Sequence, residues 1–378
     1  MTKRRGHGEG SIVQRKSADR LWMAQFRDVT GKRRAIYGKT RVQVAGKLTT
    51  ALKAVQDGLT PTSDRETVES FGEKWLAGLA TSVRPTSLST YGFLLRGHVF
   101  PALGTQKLGR VQPQELQALY AARLEAGASP QTVRHVHGVV RNMYGAAVRW
   151  GMVVRNPAQM VSAPRVPARE LPMLSPGQVS HFLAGCRGHR LEALFTCALM
   201  TGARSGELLG AAWDVVDLDS GVLEVRVILQ ESEQGYKLTE PKTRRSHRVI
   251  ALPLAAVEAL RRHRARQAEE AMRLGPAWRN EWNLVFTNEA GGPVDRHVML
   301  ARAYRPLLRK AGLPVSLTFH DLRHVFASTA LAKGLPVTAV AEALGHSTPA
   351  TTMRRYAHAL PNSNRQVAAA IQAAFAAG

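Results

Sequence analysis

The proline-rich stretch at residues 161–172 restricts the fold of this chain more than any other feature. It holds three prolines and shows no helical period. Proline favours extended, semi-rigid linkers. The pattern before this stretch is helical, whereas helical stretches alternate with short runs of β-type residues after it. We therefore expect separate domains joined by a linker, not one continuous core.

The region before the linker, residues 67–160, carries the signals of several helices. Apolar residues recur every three or four positions in the first of them, at Val68, Phe71, Trp75, Leu76 and Leu79. Pro85, Pro113 and Pro130 each stand at a position suited to the first turn of a further helix. The pattern predicts an all-helical unit.

Residues 1–60 have a different pattern, typical of a small sheet followed by a helix. Runs of β-type residues at 21–27 and 33–37 flank the turn signal Thr30-Gly31-Lys32, and residues 8–13 resemble a first strand. Thr40 is suited to cap a helix that follows. A three-stranded sheet of this kind can enter a DNA groove.

After the linker the pattern is mainly helical, with strand-like runs at 222–228, 248–252 and 284–287. The predicted fold class is therefore multidomain α+β: a three-stranded sheet plus helix, an all-α domain, and a mainly α domain with a small antiparallel sheet. The predicted domain limits are 1–60, 61–166 and 167–378.

The charge balance indicates a nucleic acid partner. The chain has 52 Lys and Arg against 28 Asp and Glu, a net charge of +24. Residues 1–60 alone hold 14 basic against 4 acidic residues. Such surfaces bind phosphates with release of counterions. A membrane surface is the alternative partner. The sequence contains no run of about 18 apolar residues, so it predicts no membrane-spanning helix. The basic amino terminus leads into no apolar signal core, and two cysteines fit a reducing cytosol.

A set of basic residues and a tyrosine indicates chemistry on a phosphate. His320 and Arg323 share a face of a predicted helix, His346 follows a glycine at a helix break, and Tyr356 lies ten residues further. Arg204 stands far upstream. Arginine pairs two phosphate oxygens at once and stays charged. A phenol is a competent nucleophile once a neighbouring group takes its proton.

These residues, in this order, resemble the tyrosine recombinases, the phage-integrase family. The motifs are Thr201-Gly202-x-Arg204-x-x-Glu207, Pro241-Lys242-Thr243, His320-Asp321-Leu322-Arg323-His324 and Leu344-Gly345-His346-Ser347. The resemblance is strongest in residues 173–360. Residues 67–160 resemble the family's helical, SAM-like core-binding domain by pattern more than by motif. Residues 1–60 resemble the arm-binding module found in integrases of temperate phages and integrative elements.

The resemblance implies that Tyr356 forms a covalent 3′-phosphotyrosyl link and frees a 5′-hydroxyl, with no ATP, cofactor or metal. It assigns Arg204, Arg323 and His346 to phosphate binding, Lys242 to protonation of the leaving 5′-oxygen, His320 to proton acceptance or hydrogen bonding, and Glu207 to orientation of the site. The implied activity is integration, and also excision, of a mobile element or viral genome in the cytoplasm of a bacterial host.

The implied partners are double-stranded DNA, at core and arm attachment sites, and further copies of the chain in a synaptic homotetramer. A host DNA-bending protein and an excision factor fit the same scheme. The tail carries Val367, Ile371 and Phe375 on one apolar stripe. This stripe is equally consistent with packing on its own domain and with docking on a neighbouring protomer.

Several alternatives stay open at this point. Lys242 lies in a basic run, so charge density alone also accounts for a lysine there. His324 is suited either to a buried structural role or to a contact in the site. His320, His324 and His346 could hold zinc, although Arg323 beside them makes a metal unfavourable. A DNA-binding protein without catalysis and a type IB topoisomerase are the other functional classes, and the full residue set and the basic amino-terminal module argue against them.

Overall fold

The structure is a computed structural model, and its two compact units are Met1–Ala168 and Arg169–Gly378. It describes residues 10–15, 21–27, 31–56, 66–167, 173–232, 235–241 and 247–357, and residues 368, 372 and 375 of the tail. Lys242 and the tail positions Val367 and Ile371 lie outside the described residues. The limits between the three predicted domains stay predictions.

The predicted small sheet with a helix is confirmed near the amino terminus. Three antiparallel strands pair in the order β1-β2-β3. Their bounds, with that of the helix, are β1 Ser11–Gln14, β2 Trp22–Arg27, β3 Arg33–Gly38 and α1 Arg41–Gln56. The Gln43 N–H donates to Thr40 Oγ1 at 3.2 Å at the start of α1, as expected for an N-cap. Ala24 and Phe26 of β2 pack with Val44 of α1 in a small core.

The helical pattern of residues 67–160 also forms as predicted. The helices are α2 Val68–Leu79, α3 Pro85–Leu94, α4 Phe100–Leu103, α5 Pro113–Glu125 and α6 Pro130–Arg149, and a π-helical turn at Leu95–Val99 joins α3 to α4. Thr67 caps α2, since its side chain accepts from the Ser70 N–H at 3.2 Å. Trp75 of α2 stacks on Tyr91 of α3, with 5.8 Å between ring centroids.

The second unit combines helices with short strands. Its helices are α7 Pro176–Cys186, α8 Glu192–Thr201, α9 Ser205–Leu209, α10 Leu254–Leu274, α11 Arg296–Met299, α12 Arg305–Lys310, α13 Phe319–Ala332, α14 Val337–Leu344 and α15 Pro349–Tyr356. Helix α8 is buried along nearly its whole length and packs against α10 and α13. It is the centre of this unit's core.

Two small antiparallel sheets accompany these helices, in agreement with the predicted fold class. Strands β4 (Val216–Asp217), β5 (Val222–Val225) and β8 (Arg248–Ala251) form one sheet in that order, and β6 (Ile228–Ser232) pairs with β7 (Gly235–Thr239). The sheets lie between α9 and α10 in the chain, so they separate the Arg204 motif from the later motifs.

The predicted strand at residues 284–287 was wrong. Leu284 and Thr287 form only isolated bridges. The Val285 N–H donates to the Ala211 carbonyl at 2.8 Å, but side chains bind the carbonyls of this segment in place of a continuous neighbouring strand. Gln267 Nε2 donates to the carbonyls of Leu284 and Val285, each at 3.1 Å.

None of the helices in the described part of the chain has the length and apolar character that a membrane crossing needs.

Candidate active site

Helix α13 carries three of the candidate residues on its first turns. Thr318 fixes its start, because the Asp321 N–H donates to Thr318 Oγ1 at 3.2 Å and the Thr318 N–H donates to Asp321 Oδ2 at 2.6 Å. This reciprocal capping sets where the helix begins. His320, Arg323 and the neighbouring His324 therefore occupy fixed positions just inside a helix amino terminus.

Arg204 stands at the start of α9, directly after a chain reversal. Gly202 ends α8 with a φ of +63°, and a Cβ there would lie 2.6 Å from the ring of Phe326. Arg204 Nη1 then donates to Glu207 Oε1 at 2.7 Å, and the Arg204 N–H donates to Glu207 Oε2 at 2.8 Å. Glu207 thus orients the guanidinium of Arg204.

A second arginine, Arg248, also binds Glu207. Arg248, the first residue of β8, donates from Nη1 to Glu207 Oε1 at 3.1 Å and from Nη2 to Oε2 at 2.9 Å. Both side chains are buried, with 8% of Arg248 and 2% of Glu207 exposed. Two separate chain segments therefore share one buried carboxylate.

The carboxyl terminus of α14 brings the three arginines together. Arg248 Nε donates to the Ala343 carbonyl at 3.0 Å, Arg323 Nη2 to Leu344 at 2.6 Å, and Arg204 Nη2 to Gly345 at 3.3 Å. Three successive carbonyls of one helix end are thus each bound by a different arginine. We call Arg204, Arg248 and Arg323 the arginine cap. The negative end of the helix dipole favours cations at this place.

The arginine cap is positively charged beyond what Glu207 neutralises. Burial, followed by the charges of Arg204 and Arg248, lowers the pKa of Arg323 to about 9. Arg323 is nearly fully buried, whereas 37% of the Arg204 side chain is exposed. An anion that approached Arg204 would therefore relieve the repulsion between the arginines. The site is suited to bind a phosphate.

His346 lies next to this charge. It follows Gly345, which ends α14 with a φ of +63° and approaches Arg248 so closely that a Cβ would lie 2.8 Å from Nη1. His346 Nδ1 is 2.7 Å from Thr352 Oγ1. Burial, and then the charges of Arg323 and Arg204, lower the pKa of His346 to about 4. The imidazole is therefore neutral at pH 7.

Tyr356 ends α15 in a buried position. Its side chain is fully buried and belongs to a small cluster with Leu331 and Leu344. Its hydroxyl is 2.6 Å from Nδ1 of His324. Burial raises the pKa of Tyr356, an effect opposed by the charge of Arg323.

Sequence comparisons place this arrangement among known proteins. The pattern described as the Phage integrase family matches residues 173–363, and the one described as Phage integrase, N-terminal SAM-like domain, matches residues 67–122. The chain belongs to the phage integrase family. It is a site-specific recombinase of the tyrosine class, so the predicted family and activity are confirmed.

Two relatives span nearly the whole recombinase. A tyrosine recombinase XerC-like protein of Caldanaerobacter subterraneus subsp. tengcongensis is 30% identical over 356 residues, which cover 89% of this chain and 90% of that protein. An integrase of Streptomyces ambofaciens is 31% identical over 372 residues, which cover 94% of each.

Solved structures of integrases share the fold. The Tn1549 transposon integrase in complex with a circular intermediate DNA has a TM-score of 0.68 and 21% identity, and the match covers 81% of this chain and 99% of that one. A lambda integrase dimer bound to a COC′ core site has a TM-score of 0.57 and 16% identity, and the match covers 94% of this chain and 96% of that one. At these identities the likeness concerns the fold alone.

The recombinase brings most of the predicted site residues together. Arg204, Glu207 and Arg323 meet at the end of α14, directly before His346. Tyr356 contacts α13 through His324, whose ring is in turn perpendicular to that of His320, with 4.9 Å between centroids. The catalytic assignment of each residue, including Lys242 outside the described part, stays a prediction.

Two residues of the site were missed or left open by sequence reasoning. The sequence predicts Arg248 only as the start of a strand, because the basic run before it makes one more arginine unremarkable. His324 had two open roles, and its contact with Tyr356 favours a role in the site. Its spacing of four from His320 on one helix was a usable signal, because such residues share a face.

The histidines of the zinc alternative lie in the described part of the recombinase. No group of three His, Cys, Asp or Glu is placed there to hold a metal ion. Nδ1 of His324 and Nδ1 of His346 each lie within hydrogen-bond distance of a hydroxyl.

Proposed function

We propose that Tyr356 attacks a DNA phosphodiester, forms a 3′-phosphotyrosyl link and frees a 5′-hydroxyl. The 5′-hydroxyl of a second DNA strand then attacks the phosphotyrosyl link, and Tyr356 leaves as the backbone is rejoined. The observation that carries this proposal is the arginine cap. It presents Arg204 as a partly exposed cation beside the buried Arg323, and both donate to carbonyls at the end of α14. Helices α13 and α14 also form the cluster in which the tyrosine is buried.

The proposed roles follow from the charge that develops during attack. Negative charge grows on the non-bridging oxygens of the phosphate, and preorganised cations stabilise it without reorientation. Arg204 and Arg323 supply this charge, and the neutral His346 donates a hydrogen bond. Glu207 holds Arg204 in place. Lys242 protonates the leaving 5′-oxygen.

The proposed DNA contact extends along the chain. The net charge of +24 and the basic residues 1–60 support binding of duplex DNA beyond the cleavage point. We assign residues 1–60 to an arm site, 61–166 to the core site, and 167–378 to catalysis. The exposed face of the β1-β2-β3 sheet, which includes Arg27 and Arg33, suits a DNA groove.

The proposed assembly is a tetramer that integrates, and also excises, a mobile element in the cytoplasm of a bacterial host. A lambda integrase of similar fold was solved as a tetramer bound to a Holliday junction, which supports this assembly. Recombination between two duplexes requires four strand cleavages, and four protomers would each supply one tyrosine. A host DNA-bending protein and an excision factor are further proposed partners.

Substitution Tyr356→Phe tests the proposal. We expect DNA binding to persist and the covalent complex to disappear, because only the nucleophilic oxygen is removed. The measurement is a denaturant-resistant protein–DNA band formed on a nicked core-site substrate. Tyr144→Phe is the matched control, since it removes a buried hydroxyl that donates to the Leu108 carbonyl at 3.2 Å. A covalent band from Tyr356→Phe would overturn the assignment of the nucleophile.

A further inference from the structure

The hydroxyl of Tyr356 contacts His324. Tyr356 Oη and His324 Nδ1 are 2.6 Å apart, a short hydrogen bond between two buried side chains. Water does not reach the tyrosine, because none of its side chain is exposed. In this arrangement His324 is the group in contact with the hydroxyl, which makes it the nearest acceptor for the phenolic proton.

The groups around His324 keep its ring neutral. His320 presents its ring edge-on at 4.9 Å between centroids. Arg323 and Asp321 are its neighbours on α13, and Arg355 is its charged neighbour on α15. Burial, then His320 and Arg355, lower the pKa of His324 to about 4. At neutral pH the ring is therefore neutral and has one nitrogen without a proton, and in the tautomer with the proton on Nε2 the Nδ1 lone pair accepts the phenolic hydrogen.

We propose that His324 is a catalytic residue that accepts the proton of Tyr356 during strand cleavage and returns it during rejoining. This proposal rests on the proposed function of Tyr356. As the bond between Oη and phosphorus forms, the phenolic proton moves to Nδ1 of His324. The bond between phosphorus and O5′ breaks, and O5′ takes a proton from Lys242. Rejoining runs these transfers in reverse, so protons balance over the full reaction.

Two features favour His324 for this step. Its Nδ1 already lies within hydrogen-bond distance of the reacting oxygen, which is the geometric requirement for a proton acceptor. It also adjoins Arg323 on α13, so the proton acceptor and the phosphate-binding arginine are held by the same helix. A bound phosphate would place negative charge nearby and raise the pKa of His324 toward that of a useful base.

Because Tyr356 is buried, its hydrogen bond to His324 has an alternative role as a restraint on the tyrosine. The test has to distinguish this restraint from proton acceptance. DNA binding must open the packing around the hydroxyl before the oxygen can meet a phosphate. A hydrogen bond that merely restrained the tyrosine would slow this opening, and its removal would speed cleavage. A proton acceptor has the opposite effect, because its removal slows cleavage.

The experiment is single-turnover cleavage of a nicked core-site DNA by the full chain, with His324→Gln, His324→Ala and the exposed-site control His181→Gln. We expect both His324 variants to lose about 10²- to 10⁴-fold in rate, the usual contribution of general acid–base catalysis. The loss should persist when sulfur replaces the bridging 5′-oxygen, because a thiolate leaves without an acid while the nucleophile still has to lose its proton. Melting temperature and DNA affinity serve as checks of folding.

Added imidazoles distinguish proton transfer from a structural role. Substituted imidazoles should restore cleavage by His324→Ala, with rates that rise with the pKa of the imidazole, whereas refilling a cavity would not depend on basicity. Wild-type or faster cleavage by His324→Gln would overturn the inference, as would rescue independent of pKa. The proposed function has its own test: a covalent complex formed by Tyr356→Phe would overturn the role of Tyr356, whatever the His324 variants do.

Discussion

Arg248 is expected to hold the active site together, and Arg248→Met tests this. The substitution keeps a long apolar side chain but removes the two hydrogen bonds to Glu207 and the one to the Ala343 carbonyl. Glu207 is 2% exposed, so water cannot replace the lost partner. Breaking one side of a buried ion pair typically costs about 3–5 kcal/mol. Glu207 keeps Arg204, so we expect about 3 kcal/mol, the lower end.

The assay is hydrogen exchange of peptides from α9 and α14 in increasing urea, which reports the opening free energy of this region within a two-unit chain. Arg261→Met is the matched control. Arg261 pairs with Asp219 at 2.7 Å, but 55% of its side chain and 92% of the Asp219 side chain are exposed. Solvent screens such pairs, so the control should be close to wild type. A loss in Arg248→Met no larger than in this control would refute the reasoning.

The pH dependence separates charge from packing. Burial favours a raised pKa for Glu207, but the hydrogen bonds and charge of Arg248, with those of Arg204, hold it below the ordinary value. A carboxyl whose pKa is lowered in the folded state contributes stability above its unfolded pKa and loses that contribution as pH falls through the folded pKa. The difference between wild type and Arg248→Met should therefore shrink below about pH 4. A constant difference from pH 7 to pH 3 would indicate lost packing alone.

Two other predictions concern parts of the chain that the site depends on. Lys242→Ala should slow cleavage of ordinary DNA. A substrate with sulfur at the bridging 5′ position should restore most of the rate, because its leaving group needs no acid. Equal defects on both substrates in single-turnover assays would contradict the role of Lys242 as the acid. Deletion of residues 1–60 should abolish binding to arm sites and leave weak binding to the core site, because the densest positive charge is removed. Footprints that are unchanged at every site would contradict a separate arm-binding role.

Local signals in the sequence were sufficient for much of the fold. Thr40 caps α1, as the sequence predicts, and Thr67 and Thr318 are further caps of the same kind in the structure. Such caps act through residues three positions away, so a single sequence displays them. The failed strand at residues 284–287 shows the limit. The side chain of Gln267, on helix α10, donates hydrogen bonds to two of its carbonyls. The sequence of the segment itself gives no sign of this distant partner.

The candidate site was predictable as a set of residues but not as an arrangement. The order of Arg204, Arg323 and His346 was visible in the motifs. The position of Arg248 was not, because its partners lie 41 and 95 residues away along the chain. The contact between His324 and Tyr356 spans 32 residues. The position of Arg248 and the contact of His324 with Tyr356 both depend on how helices and strands pack. Sequence patterns with a spacing of three or four residues carry no information about such packing.

The arginine cap has a consequence for the newly made protein. Arg204 finds its acceptor at Gly345, 141 residues later in the chain. During synthesis the basic amino-terminal residues leave the ribosome long before that acceptor exists. The arginine cap therefore cannot assemble before α14 has been made, and translation of the second unit is almost complete when its arginines first meet.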